Sequence, residues 1–199
     1  MGETLLIDLH YLPCVAVMRQ MAGAGHVQIE AHENYQKQSY RNRCYVLTSN
    51  KVDCLTVPVL KGATRQPIRQ VRIDYGQPWV DRHLRCWQSA YGKSPYFDEL
   101  MPVLEQELRA QPDFLFDLNW ALLTICREWL RVETPVSLTE WYEKVPPPGV
   151  FDARSAYIPG VVPESGLFRP EQAYQQHFGV EFVPNLSVLD LLFAGASLH

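Results

Sequence analysis

Cysteine pairs at metal-binding spacing are missing from this sequence. Its five cysteines, Cys14, Cys44, Cys54, Cys86 and Cys126, are odd in number and show no CxxC pattern. No metal is expected, and a reduced cytoplasmic compartment fits best. A signal peptide and an apolar run long enough to cross a bilayer are also lacking, so no membrane span is expected. Basic residues are not in excess: 18 Lys and Arg stand against 22 Asp and Glu, for a formal net charge of −4. That balance disfavours a nucleic-acid module, while leaving room for a local basic patch. There is no HxGH string, no Gly-rich phosphate loop, no repeat and no low-complexity tract. The 199 residues suffice for one domain, 1–199, that buries about 70% of its unfolded surface.

What is present is a concentration of polar side chains at residues 30–44, EAHENYQKQSYRNRC. Glu30, His32, Glu33, Asn34, Lys37, Arg41, Asn42 and Arg43 fall within it, with strand-like apolar segments on both sides. Arg41 and Arg43 alternate around Asn42 and would share a face of extended backbone, where two guanidiniums grip phosphate or carboxylate oxygens. The competing reading is a solvated surface, with Glu33 and Lys37 as an i,i+4 helical pair.

Around this stretch the chain predicts an α/β domain whose mixed β-sheet begins with a βαβ unit and is covered by several helices. Residues 4–9 (TLLIDL) form a strand, 14–21 a short helix and 26–30 (HVQIE) a second strand. Residues 43–48 and 54–59 read as a hairpin. Residues 68–74 (IRQVRID) alternate as an edge strand. From Trp79 the period becomes helical: one helix closes at Gly92, a second starts at Ser94 and a third covers residues 114–132. One more strand is expected within residues 134–142. The Pro- and Gly-rich segment 145–165 should be a long surface loop. A short helix at 169–178 then precedes a strand-like FVP and a last helix from Asn185 or Leu186.

Several segments together resemble the WbqC-like proteins, in particular the type common in Bacteroidota. They are Tyr11-Leu12-Pro13, Tyr35-x-Lys37-Gln38-x-Tyr40-Arg41-Asn42-Arg43-Cys44, Leu55-Thr56-Val57-Pro58 and Trp79-x-x-x-His83. Further along come Ala90-Tyr91-Gly92-x-Ser94-Pro95-x-Phe97 and Val183-Pro184-Asn185-Leu186-Ser187-x-x-Asp190-Leu191-Leu192-Phe193. Where many members carry Gln-Pro and then Gly-Tyr-Phe, this chain has Asp8-Leu9-His10 and Ala16-Val17-Met18, so no role of that glutamine carries over. The resemblance implies a place in O-antigen or other surface-polysaccharide assembly, and one member suggests glycine transfer to a sugar.

Taken with that context, the residues point to an aminoacyl or acyl transferase acting on an amino sugar. Lys37, Arg41 and Arg43, with Asn42 beside them, would hold the phosphates of a nucleotide-linked sugar or acyl donor. His10, in the loop after the first strand, or His32 would take the proton from the attacking amine, with Glu30 orienting the histidine. The opening is similar to nucleotidyltransferase-like folds by fold analogy only. Asn185 and Asp190 either begin the last helix or turn toward the basic stretch, where Asp190 would pair with Arg41 or Arg43. His83 reads as a core histidine, and Cys44 as a small buried apolar residue. The cofactor is left open, as is an oligomer. The rival reading is a non-catalytic subunit that binds within a glycan-synthesis complex.

Overall fold

The first strand, β1 (Thr4–Asp8), and the third element, β2 (His26–Glu30), are joined by helix α1 (Val15–Gly23), and the two strands run parallel. The computed structural model describes residues 3–159 and 172–198. Leu5, Ile7, Val27 and Ile29 sit on one face of the pair and join Val15, Val17, Met18 and Met21 of α1 in the buried core. Two short strands complete a parallel sheet in the order β5-β2-β1-β6: β5 (Val136–Leu138) beside β2, and β6 (Val150–Asp152) beside β1. Strand β6 lies inside the segment read as loop. Gly149, at φ +85°, turns the chain after the proline run and delivers three extended residues to the open edge of β1. Three residues are too few to show a period in the sequence.

The hairpin forms as expected, from β3 (Arg43–Leu47) and β4 (Val52–Thr56), paired antiparallel as a second sheet. Its ladder ends early because Pro58 has no N–H to offer. The expected edge strand at 68–74 is corrected. After Pro67 the chain makes a 3-10 turn, Ile68–Gln70, and only single bridges follow, Val59 with Ile73 and Arg72 with Phe114. Val71 and Ile73 still alternate inward, which is what imitated a strand.

Three helices follow: α2 (Trp79–Tyr91), α3 (Phe97–Arg109) and α4 (Leu115–Trp129). Trp79, His83, Leu84, Trp87 and Tyr91 of α2, and Leu100, Leu104 and Leu108 of α3, face inward at the expected intervals. Helix α3 starts beyond Ser94, with Tyr96 at its N-cap. Residues 172–178 form no helix, and the rest of the helix expected there lies outside the described residues. No strand forms at Phe182, and the last helix, α5 (Val188–Ala194), begins later than expected. Asn185 sits at φ +61°, outside helical geometry, and Ser187 caps α5 by accepting from the Leu189 N–H. Among the described residues no helix is long and apolar enough to cross a membrane.

Candidate functional site

Three of the four parallel strands end on acids: Asp8 on β1, Glu30 on β2 and Asp152 on β6. The carboxyl edge of a parallel sheet is where such folds open a ligand crevice. Here buried ion pairs close its floor. Asp8 Oδ2 accepts from His10 Nε2 at 2.9 Å and lies 3.1 Å from Arg41 Nη1, while Oδ1 accepts from the Ser155 N–H at 2.6 Å. Burial alone would raise the Asp8 carboxyl, but His10, the Arg41 guanidinium and the hydrogen bonds from His10 and the Ser155 N–H hold it well below the usual range. Arg41 makes a two-pronged contact with Glu33, with Nε 2.6 Å from Oε1, and Nη2 also donates to Ser155 Oγ at 3.0 Å. Burial pushes the Glu33 carboxyl up to about 7, since the single guanidinium is shared with Asp8 and further acids stand near.

A parallel pair lies alongside. Glu30 Oε2 accepts from Arg154 Nη1 at 3.0 Å, and Oε1 accepts from the His32 N–H and from Thr139 Oγ1, each at 2.9 Å. Arg154 is held on its other side by Asp152 and stacks over Tyr142, 4.9 Å from the ring centre. Above these pairs opens a cavity of about 540 Å³, walled by His32, Glu33, Arg65, Lys144, Arg154 and Ser155 among others. Arg65 and Lys144 are exposed there and have no acid partner among the described residues. Ser155 holds a left-handed backbone, φ +54°, fixed by its contacts to Asp8, Arg41 and Gln36.

Of the residues singled out from the sequence, Glu30, His32 and Arg41 come together here, and His10 lies beneath. His10 is 1% exposed, stacks on Tyr40 and does not line the cavity. His32 is exposed and does line it; its Nε2 donates to the Thr139 carbonyl at 3.1 Å, which leaves Nδ1 as the acceptor. Arg41, expected to grip a ligand, is 1% exposed and turns its donors to Asp8 and Glu33. Asn42 closes the start of the hairpin through Val57, at 2.9 Å, and Arg43 is half-buried beside Tyr45. Lys37 is exposed on a turn and does not line the cavity. Asp190 pairs with neither arginine: it is buried, accepts from Tyr91 Oη at 3.2 Å and Tyr174 Oη at 2.8 Å, and burial raises its carboxyl. Asn185 belongs to the turn before α5 and is likewise absent from the cavity wall. His83 and Cys44 are core residues, and burial raises the Cys44 thiol. Arg65, Lys144, Arg154 and Ser155 were missed. Arg65 sits alone in a turn, Lys144 stands just before the proline run at 146–148, and Arg154 and Ser155 come after it, in a segment that reads as surface. Among the described residues no three histidine, cysteine or acidic side chains group as a metal site requires.

The model of the WbqC-like protein family matches residues 9–147. The chain belongs to the WbqC-like family. It is 29% identical over 145 residues to the uncharacterized protein Rv1507c of Mycobacterium tuberculosis (strain ATCC 25618 / H37Rv), covering 72% of this chain and 62% of that protein. The chain therefore spans less than two thirds of that relative's length. No solved structure matches. The WbqC-like match takes in His10, Glu30, His32, Glu33, Arg41, Arg65 and Lys144, whereas Asp152, Arg154 and Ser155 come from beyond its end.

Proposed function

We propose that this WbqC-like protein works in surface-polysaccharide assembly, transferring an aminoacyl or other acyl group to the amine of a sugar. The observation that carries the reading is the 540 Å³ cavity at the strand ends, where Arg65 and Lys144 have no acid partner among the described residues and stand beside Arg154. Cations so placed suit the phosphates of a nucleotide-linked sugar or of an activated acyl donor. Lys37, Arg41 and Arg43, the cations first assigned to that task, are replaced in it by Arg65 and Lys144. The chemistry needs one proton acceptor near neutral pH. The attacking amine forms a C–N bond to the acyl carbon, the bond from that carbon to the phosphate or thiolate leaving group breaks, and the amine proton passes to His32 Nδ1. Glu30 fixes the backbone of His32 and so positions it.

A thermal-shift screen with ATP, nucleotide sugars and acyl-CoA tests the assignment. One of these should raise Tm, by the equivalent of about 2.7 kcal/mol at a hundred times its Kd. The paired substitutions Arg65→Ala and Lys144→Ala should weaken that ligand by at least about tenfold. Silence with every phosphate-bearing ligand, or a shift indifferent to both substitutions, overturns it. A second reading, a non-catalytic binding subunit, is favoured by the exposed Trp141, Tyr142 and Val145 beside the cavity. Silence in the screen together with a stable dimer would support that reading.

A further inference from the structure

Strand β2 lies between β1 and β5 in an all-parallel sheet, a place usually buried on both faces and built from continuous apolar residues. It instead alternates. Val27 and Ile29 enter the core, while His26, Gln28 and Glu30 occupy the opposite face. Neighbouring positions on that face are Leu6 of β1 and Ser137 of β5, each in register with Gln28. No sheet stability comes from a polar row at the centre of a parallel sheet, and burying it dry would cost several kcal/mol. The polar face opens onto a second cavity of about 360 Å³, roofed by the chain from Leu138 to Pro147.

Its lining differs in kind from the first. Glu30, Glu140 and Glu143 are its charged residues among those described, and no lysine, arginine or histidine faces it. Glu30 is neutralised by Arg154, and Glu143 holds the Trp141 indole N–H at 2.9 Å. The Glu140 carboxylate and the Gln28 amide have no hydrogen-bond partner among the described residues. Trp141, 60% exposed, offers its ring at the rim. Phosphate is repelled by such a wall, and an apolar ligand would strand the amide and the carboxylates. A polyhydroxylated molecule carrying an ammonium group satisfies all of them: carboxylate and indole face for the cation, amide and hydroxyl for its hydroxyls. The two cavities meet back to back at the Glu30–Arg154 pair, 3.0 Å apart.

We infer that this second cavity is the acceptor subsite, taking an amine-bearing sugar, while the cationic cavity beyond Arg154 takes the anionic donor. The word acceptor rests on the transfer proposed above; recognition of an amino sugar at Gln28, Glu140 and Trp141 does not. The test is an NMR titration of nitrogen-15-labelled full-length protein, following the Trp141 indole N–H, assigned by its loss in Trp141→Phe. D-glucosamine should move that signal saturably, while D-glucose and N-acetyl-D-glucosamine bind about tenfold more weakly or worse. Glu140→Gln and Gln28→Ala should each weaken glucosamine severalfold, and the Arg65→Ala/Lys144→Ala protein should bind it unchanged, which separates this site from the donor cavity. A Trp141 signal unmoved by glucosamine, equal response to all three sugars, or full affinity after Glu140→Gln overturns the inference, even where a phosphate-bearing donor still raises Tm.

Discussion

At Arg41 one guanidinium faces two buried carboxylates, and Asp8 and Glu33 are each less than a tenth exposed. Replacing it by methionine removes the cation and leaves both acids in low dielectric, which should cost about 3–5 kcal/mol of stability in urea unfolding. Arg41→Lys should recover only part of that, since one ammonium cannot hold Glu33 in two-pronged fashion and also reach Asp8. Lys37→Ala, by contrast, should stay within about 0.5 kcal/mol of the parent, because Lys37 is exposed and touches no acid among the described residues. Equal stability of the Arg41→Met and Lys37→Ala proteins would refute the structural role given to Arg41. The sequence displays Arg41 and Glu33 a few residues apart, so their clustering is legible. That Asp8 arrives from the end of β1 to neutralise the same arginine is a long-range fact, with no local signal.

At the scale of elements, β1, α1, β2 and the three long helices are readable because each repeats its period at least twice. Strand β6 is not, yet it carries Asp152 to the sheet edge and leads straight to Arg154 and Ser155. The site was thus half legible: its sheet wall came from periodic elements, its other wall from a segment whose prolines hid a strand. Helix α5 shows the same limit at its ends. Its closing residue, Gly195, has φ +68°, and a Cβ there would come within 2.5 Å of the Tyr96 ring. Gly195→Ala should therefore destabilise the fold by at least about 1 kcal/mol, through the backbone and the clash together. Denaturation of Gly195→Ala beside Gly62→Ala separates the two causes, because Gly62 shares the positive φ, at +89°, but has open space around its Cβ. If both lose the same stability, the contact with Tyr96 contributes nothing.

For the whole molecule, two buried groups with opposite shifts shape the dependence of stability on pH. Burial lowers His83 from 6.5 to about 3, where its imidazole accepts from Tyr11 Oη at 2.8 Å and bonds the Thr56 backbone. A depressed folded value means stability fully present above pH 6.5 and lost as pH falls toward 3, by up to ~1.4 kcal/mol per pH unit. Glu33 has the opposite sign. With a folded value pushed from 4.5 to about 7, its contribution is complete below pH 4.5 and lost as pH rises through 7. Between pH 4.5 and 6.5 the two slopes oppose each other, so the parent protein should show a nearly level plateau. Below pH 4.5 Glu33 adds nothing more, and His83, joined by Asp8 with its lowered carboxyl, drives acid unfolding. His83→Gln keeps an acceptor for Tyr11 and a donor for Thr56 but cannot titrate. Its stability should rise as pH falls from 6.5 to 4.5, by as much as ~1.4 kcal/mol per unit, where the parent stays flat. Guanidinium unfolding midpoints at half-unit steps of pH decide the matter: parallel profiles for the two proteins across that window would show that His83 is not the buried neutral group that offsets Glu33.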